Sequence, residues 1–99
     1  MKDIAINFPA WIESLPKKEQ ARSRMKFVLR IAACLATPEG TITSLSKRIG
    51  LHPSTLSNMV TAGSLDDGLP VNIIKALETA IGVGVIPREI LNPSVYGQA

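Results

Sequence analysis

Between Lys17 and Ala36 the apolar residues Ala21, Met25, Val28, Leu29, Ala32, Leu35 and Ala36 return at three- and four-residue steps. That is the spacing of one face of an α-helix, and the "TPEG" at 37–40 stops it. Ahead of it, "PAWIESL" places Trp11, Ile12 and Leu15 at helical spacing. It predicts a short helix with Pro9 in its first turn and Pro16 ending it or opening the next. The first eight residues read as irregular.

Beyond Gly40, Ile42, Leu45 and Ile49 mark one face of a helix capped by Thr41 or Thr43. Gly50 ends that helix, and Pro53 suits the first turn of another running to Thr61. "AGSLDDGLP" then reads as a polar loop. Over Val71 to Ile81 the pattern predicts a helix with Ile74, Leu77 and Ile81 inward and Lys75 and Glu78 outward. "GVGV" is an extended or turn segment, "PREIL" a short helix begun at Pro87, and the tail "NPSVYGQA" irregular. The fold class is all-α.

A chain of 99 residues fits one domain with a single core. Within it, residues 1–40 form an N-terminal helical extension with the long basic helix, and residues 41–99 a helical core. With 45% hydrophobic and 19% charged residues the chain reads as globular. The sole cysteine, Cys34, excludes an intrachain disulfide and makes a reducing, cytoplasmic compartment the natural expectation. No apolar run is long enough to span a membrane, and "MKDIAINFPAW" lacks the pattern of a signal peptide.

Charge changes the picture. Residues 1–50 hold nine Lys/Arg against four Asp/Glu, whereas residues 51–99 hold two against four. A basic half points to a polyanionic partner more than the total of +3 does.

The stretch "SKRIGLHPSTLSNMVT", residues 46–61, carries the most specific spacing. Counting twenty positions from Ile42, Gly50 is the ninth, where two helices meeting steeply need a left-handed backbone. Leu45, Ile49, Leu51, Leu56 and Met59 stand at the fourth, eighth, tenth, fifteenth and eighteenth, all apolar as core-facing positions should be. Ser46, at the fifth, is small where the helices cross. This is the spacing of a helix-turn-helix.

"TSLSKRIGLHPSTLSNM" followed by "ALETAIGVGVIPREILNPSVYG" resembles the phage Cro/YdaS family of small helix-turn-helix proteins, over about Thr43 to Tyr96. The resemblance implies a Cro/YdaS-like helix-turn-helix core and a transcriptional regulator of phage or prophage origin. Such a regulator is a repressor that binds double-stranded operator DNA as a symmetric homodimer or larger oligomer, on the host nucleoid when bound. The family pattern leaves the forty N-terminal residues unaccounted for.

A second helix without Lys or Arg can read DNA if neighbouring elements supply charge, because phosphate contacts give affinity and base contacts give specificity. Ser54, Thr55, Ser57, Asn58 and Thr61 are the candidate base readers. Asn58 leads, since Asn pairs bidentately with adenine. The candidate phosphate contacts are Lys47, Arg48, His52, Lys26, Arg22 and the helix start at Thr43. Two surfaces are nominated for assembly: Trp11, Ile12 and Leu15, and the tail around Ile86, Ile90, Leu91, Val95 and Tyr96. Either could instead close the monomer's own core.

Enzymatic chemistry finds no support. One His and one Cys eighteen residues apart do not make a metal site. His52 sits in a tight turn rather than beside a nucleophile, and Asp66 and Asp67 read as turn formers. No cofactor or small-molecule ligand is expected. The rival readings are an activator resembling phage CII, and a protein-binding module such as a toxin–antitoxin component or host-takeover factor.

Overall fold

The computed structural model describes residues 8–96, and over these it is all-helical, with no strand. Seven helices follow in order: α1 (Ala10–Glu13), α2 (Lys17–Ala36), α3 (Ile42–Arg48), α4 (Thr55–Ala62), α5 (Val71–Ile81), α6 (Arg88–Leu91) and α7 (Pro93–Tyr96). α2 is the central element, packing against α1, α3, α4, α5 and α6. Its Val28, Leu29, Ala32 and Ala33 meet Leu45 of α3, Leu56 of α4, and Ile74 and Leu77 of α5 in one core. Residues on both sides of the 40/41 boundary therefore share a single core. Ile12 of α1 is fully buried as well.

Several expectations are corrected. Leu35 does not join the inner face of α2: it is 46% exposed, and Ala33 is buried in its place. α4 begins at Thr55, so Pro53 and Ser54 stand in the preceding turn. That turn is held by the Thr55 N–H donating to the His52 carbonyl at 3.0 Å. The loop after α4 is not merely polar, because Leu65 and Leu69 enter the core from it.

Glu78, expected outward, is 7% exposed and forms a two-pronged ion pair with Arg88 at 2.9 and 3.0 Å. Of the tail, residues 93–96 are helical rather than irregular. Asn92 accepts the Val95 N–H at 3.1 Å, and Pro93 starts the helix where an N–H is not needed. The Asn92 amide also donates to the Leu69 carbonyl at 2.9 Å, tying the tail to the loop. Ile86 and Leu91 are buried in the monomer, so this end of the chain closes its own core.

Candidate nucleic-acid interface

The hinge between α3 and α4 follows from three residues. Thr41 caps α3, its hydroxyl accepting the Ser44 N–H at 3.1 Å; Thr43 lies inside the helix and is exposed. Gly50 adopts φ +84°, and a Cβ there would meet nothing within 4 Å. The turn demands glycine for its backbone and not for space.

Ser46 is fully buried at the contact of the two helices. Its Oγ accepts the Leu56 N–H at 3.3 Å, and its carbonyl accepts the Leu51 N–H at 2.8 Å. An α-helix leaves its first N–H groups without partners. Ser54, the residue before α4, makes no side-chain cap. α3 thus caps α4 across the hinge. Leu45 and Leu56 are fully buried, while Ile49, Leu51 and Met59 pack partly buried against the core.

With that face of α4 inward, Ser54, Asn58 and Thr61 remain exposed along a single stripe. Thr55 and Ser57 are half-buried. At the N-terminal end of the stripe, the Ser54 N–H donates to His52 Nδ1 at 3.2 Å, and the Ser54 hydroxyl lies 2.9 Å from the same nitrogen. With Nδ1 turned to the Ser54 N–H, Nε2 is the ring nitrogen that can donate outward. The Asn58 amide in turn donates to Ser54 Oγ at 3.5 Å, a long bond. Its Oδ1 and second N–H remain open.

The cations nominated for phosphates, together with Arg30, divide into three groups. Lys26 and Arg30 of α2 share a surface cleft of about 240 Å³ with Thr41, Thr43 and Ser57, flanking α4. Lys47 and Arg48 line a different cleft with Thr37, Glu39 and Ser44, apart from Ser57. Arg22 is engaged elsewhere: it pairs with Asp66 at 3.3 Å. Its guanidinium lies over Gly63, at φ +80° the left-handed cap of α4, where a Cβ would come within 2.6 Å of Nη2. A cation there complements the helix C-terminus.

Among the described residues the ion pairs are Arg22–Asp66 and Arg88–Glu78, so Lys26, Arg30, Lys47 and Arg48 face solvent without a carboxylate partner. Arg30 is one of the six cations that the Lys17–Arg30 stretch offers to phosphates, and the four-residue step Arg22, Lys26, Arg30 puts these three along one edge of α2.

No family profile, curated protein or solved structure matches this chain. No described helix is long and apolar enough to cross a membrane.

Proposed function

We propose that this protein is a sequence-specific DNA-binding transcriptional regulator of the helix-turn-helix kind, similar to phage Cro/YdaS repressors, acting on operator DNA as a symmetric oligomer. The observation that carries the reading is the exposed Ser54, Asn58 and Thr61 stripe beside Lys26 and Arg30, two cations with no carboxylate partner among the described residues. In this reading α4 lies in the major groove. Asn58 reads adenine through its open Oδ1 and N–H, and Thr61 offers a methyl to thymine. Lys26, Arg30 and the Nε2 proton of His52 hold phosphates on either side.

The uncharged stripe selects A·T-containing half-sites over runs of guanine, where Arg or Lys would be the natural reader. Two half-sites about one helical turn apart give a paired protein its affinity. Bound over a promoter, such a dimer represses by blocking polymerase, which requires no further contact surface.

The test is a titration of the purified chain with labelled DNA from around its own gene, against scrambled competitor and at two salt concentrations. Saturable binding that survives competitor and weakens steeply with salt supports the reading. Binding lost equally to any competitor, or absent, overturns it.

A further inference from the structure

A cavity of about 230 Å³ opens between α2, the loop after α4 and α6. Phe8, Met25, Val28 and Ile90 supply its apolar wall, and three charged residues line it as well: Arg24 of α2, Asp66 of the loop and Glu89 of α6. An apolar cavity of about 150 Å³ is enough to hold a benzene ring. This one has room for a single ring or a branched aliphatic chain together with a small polar head.

The charges define that head. Asp66 is already engaged by Arg22 at 3.3 Å. Arg24 and Glu89 have no oppositely charged partner among the described residues, although both line this one cavity. Two opposite charges that border the same apolar space without pairing leave a gap that a molecule carrying both signs can bridge. Arg24 is preset for its share: its guanidinium lies 6.0 Å over the Phe8 ring, and Nη2 donates to Gln20 Oε1 at 3.3 Å. A guanidinium has five N–H donors, so those that remain can take a carboxylate through two parallel bonds. Glu89, exposed on α6, can accept from an ammonium.

We propose that the cavity binds a free α-amino acid with an apolar side chain, its carboxylate on Arg24, its ammonium on Glu89 and its side chain against Met25, Val28 and Ile90. A fatty acid would satisfy Arg24 and leave Glu89 unpaired, and an alkylamine would do the reverse. The volume sets the size at one residue. Because Arg24 and Glu89 belong to elements far apart in the chain, a ligand that joins them stabilises the fold, and the melting temperature rises with its concentration. The site is argued from the cavity alone and stands whether or not the chain binds DNA.

The experiment is a titration of the isotope-labelled full chain with L-leucine and with L-phenylalanine, followed by backbone amide chemical shifts. The expected result is saturation at millimolar concentration, with shifts at Met25, Val28 and Ile90. Isopentylamine and isocaproate, which are leucine without its carboxylate and without its ammonium, should bind about tenfold or more weakly. Glycine, which has nothing for the apolar wall, should not bind. Arg24→Gln should bring leucine down to the level of the amine and Glu89→Gln to that of the acid, both with helical circular dichroism intact, because both residues are exposed. Glu39→Gln, at an exposed residue outside the cavity, should leave binding unchanged. No saturable shift with either amino acid, or leucine binding indifferent to both cavity substitutions, overturns the proposal. Amine or acid binding as tight as leucine overturns the zwitterionic assignment.

Discussion

The hydroxyl of Ser46 in α3 accepts the backbone N–H of Leu56 in α4 at 3.3 Å, and the serine side chain is fully buried. One small polar residue thereby lets two helices approach closely and satisfies an N–H that α4 cannot satisfy itself. Ser46→Ala keeps the close approach and orphans the donor, at about 1–2 kcal/mol. Ser46→Leu cannot be accommodated at the contact and should cost more, through overpacking. Urea unfolding followed by circular dichroism ranks the two. Equal stability of Ser46→Ala and the parent chain would show the bond to be worthless.

Gly50 separates backbone demand from space. Because a methyl group at this position meets nothing within 4 Å, Gly50→Ala should cost about 1 kcal/mol through its positive φ alone. Gly50→Asn should cost less, since Asn tolerates the left-handed region. Melting temperatures of the three chains should therefore rank Gly, Asn, Ala.

The DNA reading separates residues by the kind of loss they cause. Asn58→Ala should lower affinity for the preferred site by about 1–3 kcal/mol while leaving non-specific binding unchanged. Lys26→Ala and Arg30→Ala should weaken binding to all sequences alike, each reducing the slope of log K against log salt by about one. Arg22→Ala should change that slope less, because Asp66 already holds its guanidinium. Fluorescence anisotropy at several salt concentrations distinguishes these outcomes. An unchanged slope for Lys26→Ala and Arg30→Ala would remove their cleft from the interface.

The Glu78–Arg88 pair predicts how the fold responds to acid. The hydrogen bonds from Arg88 outweigh desolvation and, with the Arg88 and Lys75 charges, hold the Glu78 carboxyl below its ordinary value of 4.5. A carboxyl depressed in the folded state contributes stability that is complete above its unfolded value and is lost as pH falls through the folded one. Stability should therefore be insensitive to this pair at neutral pH and decline below about pH 4.5. Glu78→Gln should lower the neutral-pH melting temperature and flatten that part of the acid decline. Thermal melts from pH 7 down to pH 3 measure both effects.

Much of the fold was legible in the chain. Periodicity placed α2 at Lys17–Ala36 and α5 at Val71–Ile81 with their ends, because long helices repeat their pattern enough times to fix the phase. Gly50 announced its turn through a backbone requirement that belongs to the residue itself. The apolar positions around the hinge were legible for the same reason: spacing on a helix is a local property.

Partnership between distant residues was not. The helical pattern of α2 counted Leu35 with the core residues, since an apolar residue at the edge of a stripe is assigned to a side only when neighbouring helices arrive. Glu78 read as a solvent-facing charge until α6 brought Arg88 over it. Arg22 read as a phosphate contact until the loop after α4 supplied Asp66. Lys26 and Arg30 gained their place beside Ser57 only when α2 crossed α4.

The sequence by itself determined the two longest helices and the turn at Gly50, though not the short helix Pro93–Tyr96, because periodicity, capping and positive φ are written within a few residues. Tertiary structure alone decided which charges are neutralised, which remain free beside α4, and which apolar side of α2 stays uncovered. Those properties depend on distances between residues far apart in the chain, and only packing sets such distances.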